Sequence, residues 1–180
     1  YEINAGLDTE IAGPGWGAGL WGGQTTTYSQ TLLNMGSGLN DSATSIILDS
    51  ASDFETAADT LDGAITAANG TGGAEGILVY DSSGFPAKGT ILIGSEKIAY
   101  LTNSSNKFSG LTRGADGTTA AAASDGAAVT FVGLILIDSE LIQYTGKTSN
   151  TLDAGVVRGV RGTTAAAHSD NAVVKEANDF

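Results

Sequence analysis

At 180 residues and a formal net charge of -12, with 26 glycines and no cysteine, this chain offers neither a disulfide framework nor a thiolate metal site. All eight Lys and Arg residues lie from Lys88 onward and eleven acids precede it, so the first half would repel phosphate, and specific nucleic-acid binding is not expected. No apolar run is long enough to span a bilayer and no basic leader is present, so no membrane contact is expected either.

In chain order, residues 1–40 form a Gly/Trp-rich arm. Gly13 to Gly23 places Trp16 and Trp21 among six glycines and a proline, a composition that resists helix and plain strand. The arm is therefore expected to be extended, with its two indoles either packed against the body or a neighbour or offered to a partner chain or a glycan. The chain begins at Tyr1 rather than methionine, which reads as a piece of something longer. Residues 41–75 read as an acidic linker holding a strand at Thr44–Leu48, a short helix and a degraded repeat. The helix is predicted from Phe54, Leu61 and Ile65 on one face, with Ser52 and Glu55 as a capping box, and Asn69-Gly70 to stop it. Asp49-Ser-Ala-Ser-Asp-Phe54 echoes Asp81-Ser-Ser-Gly-Phe85, which suggests a partial third copy of a unit that the second half of the chain writes twice.

That unit occupies residues 76–130 as copy 1 and residues 131–180 as copy 2. Aligned on Glu96 and Glu140, Ile91/Ile135, Ile93/Ile137, Ile98/Ile142 and Tyr100/Tyr144 fall in step, and after one inserted residue Arg113 meets Arg158. With Gly94-Ser95 and Asp138-Ser139 as two-residue turns, each copy opens with a hairpin whose isoleucines and tyrosine share one face. A short alanine helix is expected after each Arg-Gly turn, capped by threonine and ended by Ser-Asp. The fold class is thus mostly β: two small repeated β-hairpin modules with short helical turns, plus the glycine-rich extended N-terminal arm.

No catalytic set emerges. His168 is the only histidine, is replaced by Ala123 in the other copy, and reads as a surface or capping residue. Glu96 and Glu140 suit a glycosidase pair if set across the two copies; the simpler reading is that each satisfies its own module's Arg113 or Arg158 and nearby turn N–H groups. The aspartate-rich loops lack EF-hand spacing and the Arg-Gly turns lack a Walker lysine, so no metal and no cofactor is expected. Asn40, Asn69 and Asn103 stand in Asn-x-Ser/Thr triplets.

Gly84 to Glu96 (GFPAKGTILIGSE), Thr112 to Thr119 (TRGADGTT) and Arg158 to Asp170 (RGVRGTTAAAHSD) resemble a module of virion structural proteins of tailed bacteriophages. The opening INAGLD with GWGAGLWG at 15–22 is similar to a segment of their tail-associated proteins. The resemblance implies a non-enzymatic subunit located in the virion, in the tail or head-tail region, whose partners are copies of itself and other virion proteins. It carries no catalytic residues over. A glycan-binding tail module, a capsid decoration or fibre protein, and a non-viral extracellular repeat protein or adhesin are the alternatives.

Overall fold

The computed structural model describes residues 30–68 and 76–178; Trp16, Trp21 and arm residues 1–29 lie outside them, while arm residues 30–40 supply a strand and the buried Leu33 and Leu39. The chain is mostly β, built as several small antiparallel sheets. A front segment supplies β1 (Gln30–Leu32) and β2 (Ile46–Ile47), and a second one β3 (Ala58–Thr60) and β4 (Ile77–Leu78). Then come β5 (Gly89–Ile93), β6 (Glu96–Tyr100), β7 (Thr102–Ser104), β8 (Lys107–Ser109) and β9 (Ala128–Phe131). The last stretch gives β10 (Gly133–Ile137), β11 (Glu140–Tyr144), β12 (Gly146–Thr148), β13 (Thr151–Ala154) and β14 (Val173–Glu176).

The pairing is nested. Sheets β3-β9-β5-β6 and β4-β8-β7 belong to the inner stretch, residues 57–131. Sheets β1-β14-β10-β11 and β12-β13-β2 join residues 30–54 to residues 133–178, enclosing the inner stretch in sequence. Isolated bridges close each pair of sheets into a ring: Leu61↔Val79 and Ala99↔Thr112 in the inner one, Leu33↔Leu48 and Gln143↔Val157 in the outer one. Closure gives the outer edges of the four-stranded sheets backbone partners, which a lone hairpin lacks.

Alternation dictates what each ring encloses. In the hairpin β5–β6, Ile93 opposes Glu96 and Ile91 opposes Ile98; in β10–β11, Ile137 opposes Glu140 and Ile135 opposes Ile142. One face of each hairpin therefore points inward. The inner core buries Leu61, Ile65, Ile77, Val79, Phe85, Ile91, Ile98, Tyr100 and Phe108 among others. The outer core buries their counterparts Leu33, Leu39, Ile46, Leu48, Phe54, Ile135, Ile142, Tyr144 and Leu152. Gly133 is needed for this packing, because a Cβ there would run into the ring of Tyr144. Gly133→Ala is expected to cost about 1–3 kcal/mol by overpacking, read as a lower urea midpoint.

Two expectations are corrected. The helix from Phe54 to Ala68 does not form: Phe54 lies in the outer core, Leu61 and Ile65 in the inner one, and β3 runs between them. Their helical spacing joins residues of two different cores, Thr56, Thr60 and Thr66 suit an extended chain, and Gly63, at φ 100, is a poor helix former. The alanine stretches are not helical either. Among the described residues the only helical element is a single 3-10 turn, Ala115–Gly117, interrupted by Asp116 at φ 52. The amides of Ala121 and Ala166 point at Glu96 and Glu140 instead of at helical carbonyls. Asp49–Phe54 does for the outer ring what Asp81–Phe85 does for the inner one: Ala51 N and Asp49 O bond Asn150 as Ser82 N and Tyr80 O bond Asn106.

The two rings meet at equivalent turns. Asp116 Oδ1 lies 3.0 Å from Arg161 Nε, and Asp116 Oδ2 lies 3.4 Å from Lys97 Nζ. Asp116 and Arg161 hold the same place in the two Arg-Gly turns, with φ 52 and 54, so corresponding positions carry opposite charges and face each other.

Candidate functional site

Of the side chains singled out in the sequence, Glu96 with Arg113 and Glu140 with Arg158 come together where each hairpin turn meets its Arg-Gly turn. Glu96 is buried, with Arg113 Nε and Nη2 donating to its two oxygens at 2.7 Å each. Gly114 N and Ala121 N donate at 3.0 and 2.9 Å. Glu140 repeats the arrangement with Arg158 at 2.7 Å twice, Gly159 N at 2.9 Å and Ala166 N at 3.1 Å. A carboxylate has about four lone-pair sites; four donors meet Glu96, and at Glu140 the same four are joined by His168 Nε2.

Each arginine then reaches further. Arg113 Nη1 donates to Thr66 O and Nη2 to Ala121 O, while Arg158 Nη1 donates to Asn40 O and Nη2 to Ala166 O. The ion pair thereby stitches a front segment to the hairpin of its own ring. The aspartates of the two Ser-Asp pairs complete the stitch: Asp125 Oδ1 accepts from Gly63 N and Asp170 Oδ1 from Met35 N, each at 2.8 Å. Thr118 and Thr163 accept from Lys97 N and Leu141 N at 3.0 and 3.1 Å.

His168 departs from expectation. It is buried rather than exposed, with Nδ1 2.7 Å from Asp138 Oδ2 and Nε2 2.7 Å from Glu140 Oε2. Sequence reading missed this because the residues that receive the ring, Asp138 and Glu140, are about thirty positions away. A signal existed in the paired differences between copies, since Gly94 and Ala123 in copy 1 become Asp138 and His168 in copy 2. Beside the histidine lies a shallow depression of about 380 Å³, lined by Gly36, Ser37, Gly38 and Ala167 to Asp170.

The electrostatics limit what this arrangement does. Burial pushes the Glu140 carboxyl up, but Arg158, His168 and the Ala166 N–H outweigh it and hold the group at about 2, down from 4.5. Glu96 is also lowered: burial again opposes, and Arg113 with the Ala121 and Gly114 amides prevails. A glycosidase acid must keep its proton near neutrality; these two groups are ionised there. A nucleophilic triad places a hydroxyl or thiol on one imidazole nitrogen, whereas both nitrogens of His168 end on carboxylates. Because the folded-state carboxyls titrate below their unfolded values, their stabilisation is full above about pH 4.5 and is lost as pH falls toward 2. Urea midpoints are expected to drop across that window, and Glu140→Gln to flatten the drop.

A second device recurs in both rings. Asn106 accepts from Ser82 N and donates to Tyr80 O, and Asn150 likewise accepts from Ala51 N and donates to Asp49 O. Asn103 Nδ2 donates to Ser82 O and Phe85 O. Lys147 Nζ takes that place in the outer ring, donating to Ala51 O and Phe54 O. The shared Ser-Asn at 105–106 and 149–150 was the available clue. Of the three sequons, Asn103 uses its amide nitrogen inside the fold, Asn40 is exposed, and Asn69 lies outside the described residues.

Among the described residues no group of His, Asp and Glu is arranged to hold a metal ion, and no helix is long and apolar enough to cross a membrane. No family model, curated protein or solved structure matches this chain.

Proposed function

We propose that this chain is a structural subunit of a tailed-phage virion, in the tail or head-tail region, which acts by assembly with copies of itself and other virion proteins and performs no chemistry. The observation that carries this reading is the fate of the residues the chain writes twice. Glu96 with Arg113 and Glu140 with Arg158 are spent on joining front segments to hairpins. Repeated charge that is consumed inside the fold serves a scaffold, and the Gly-Phe-Pro and Arg-Gly-Thr-Thr wording links that scaffold to virion proteins.

Ring closure bears on how such a subunit assembles. Thr112 occupies the outer edge of β6 and Val157 that of β11, while the Val79 and Leu48 bridges engage the segments following β3 and β1. Assembly then runs through faces, loops and the short strands β7 and β12 rather than through the long sheet edges.

The test is the intact mass and copy number of the polypeptide in the purified native particle, by denaturing mass spectrometry with quantified peptides. A tail-ring protein gives a mass above 18.0 kDa and about six to twelve copies, as a closed ring of identical subunits requires. Hundreds of copies at 18.0 kDa identify a capsid decoration or fibre protein instead, and absence from any particle removes the virion reading.

A further inference from the structure

The charged clusters of the two rings differ at two positions, and the differences carry opposite charge. In the inner ring Glu96 is paired with Arg113, Gly94 stands in the hairpin turn and Ala123 precedes Ser124-Asp125. The outer ring keeps the pair as Glu140 and Arg158 but has Asp138 in the turn and His168 before Ser169-Asp170. The pair Glu96 and Arg113 is neutral as it stands. The group Asp138, Glu140, Arg158 and His168 is neutral only when the imidazole is charged.

The hydrogen bonds make the same demand. Asp138 Oδ2 and Glu140 Oε2 each lie 2.7 Å from a ring nitrogen. Glu140, whose burial is outweighed by its donors, is held at about 2 and so is ionised near neutrality. An ionised carboxylate only accepts, and a neutral imidazole has a single N–H. Both bonds therefore form only while both nitrogens carry a hydrogen. When the ring gives one up, a lone pair faces a carboxylate, and Asp138, 67% exposed, is the partner that turns away to water, because Glu140 is 1% exposed.

The charged groups around the ring are Asp138 and Glu140 on the hairpin, Arg158 behind Glu140, and Asp170 on its own segment, whose Oδ1 accepts from Met35 N. The front segment meets it with Gly36, Ser37, Gly38 and Leu39, none of them charged. The backbone of His168 carries the effect to that segment. Leu39 N donates to His168 O and His168 N to Leu39 O, both at 2.8 Å, and Leu39 is buried in the outer core. Ile65 and Ala123 exchange the same two bonds in the inner ring, with a methyl group in place of the imidazole.

We propose that His168 is a proton-dependent latch, which ties the front segment 30–54 to the hairpin β10–β11 while its imidazole is charged and loosens it when the imidazole is neutral. The folded outer ring offers the second ring proton two carboxylates and the unfolded chain offers it water, so the stabilisation is present on the acid side of the ring's titration and is lost as pH rises through it. The inner ring does not respond. The inference is independent of the virion reading.

His168 is the only histidine, so its ring signals in the intact chain are unambiguous. Ring nitrogen chemical shifts are expected to show a hydrogen on both nitrogens at about pH 5–6 and the loss of one as pH is raised. Across that titration the hydrogen-exchange protection of the Leu39 amide should fall several-fold relative to that of Ile65, its inner-ring counterpart. His168→Ala, which installs the inner-ring residue, should hold the ratio of the two level with pH. Asp138→Gly, which suits a turn position already at φ 54, should flatten its fall. If His168→Ala fails to fold by circular dichroism, the double variant with Asp138→Gly, which reproduces the inner-ring pair, takes its place. A ring with one bare nitrogen at about pH 5–6 would overturn the proposal. So would a ratio that stays level through the titration in the intact chain, or one that falls equally in the chain without the imidazole.

Discussion

Replacing Glu140 with alanine is expected to lower stability by about 3–5 kcal/mol, the usual cost of removing one partner from a buried ion pair. The carboxylate and the Arg158 side chain are 1% and 7% exposed, so the stranded guanidinium gains little from water. Gly159 N, Ala166 N and His168 Nε2 lose their acceptor at the same time. Glu96→Ala should cost a similar amount in the inner ring, less whatever the histidine adds, because Ala123 stands in its place. Replacing both members of the outer pair, as Glu140→Met with Arg158→Leu, should cost less than Glu140→Ala alone, since no orphaned charge remains. Urea denaturation of the three variants checks the order. If Glu140→Ala were as stable as the parent, the latch would be ornamental.

The same latch shows what the sequence made legible. Ile91, Ile93, Ile98 and Tyr100 alternate about a Gly-Ser turn, so the inward face of the first hairpin followed from period and turn chemistry alone. The pairing of Glu96 with Arg113 followed from their joint recurrence as Glu140 and Arg158. What could not be read is which hairpin each front segment joins. Residues 30–54 and 57–85 carry similar apolar residues, Leu33, Ile46, Leu48 and Phe54 against Leu61, Ile77, Val79 and Phe85, and pairing across more than a hundred residues leaves no local mark. Phe54, Leu61 and Ile65 mimicked a helical face for that reason. His168 was misplaced for a related one: its burial depends on Asp138 holding φ 54 at the hairpin turn, a place where copy 1 uses Gly94.

Nesting has a larger consequence than any point substitution. Residues 57–131 contain a whole ring and are expected to fold alone as an isolated chain. Residues 133–178, which look like an equal second module, are expected to remain unfolded. Six of the twelve buried residues of the outer core, Leu33, Leu39, Ile46, Leu48, Ala51 and Phe54, come from the front segment. Without them β14 loses its neighbour β1 and β13 loses β2. The 46 remaining positions would also leave Arg158 without the Asn40 carbonyl and His168 without its backbone bridge to Leu39. A domain this small rarely stands without staples. Adding residues 30–54 as a peptide should restore the β signal in circular dichroism, whereas residues 57–88 should not.

The most direct test of nested pairing is the pattern of interstrand nuclear Overhauser contacts in the intact chain. The account predicts contacts of Thr31 with Val174, of Leu33 with Asn171 and Ala172, and of Leu39 with His168, all across more than 120 residues. It equally predicts contacts of Leu61 with Ala127 and of Ile65 with Ala123. Contacts of Leu33 and Leu39 with residues 123–131 instead, or none beyond their own front segment, would contradict it.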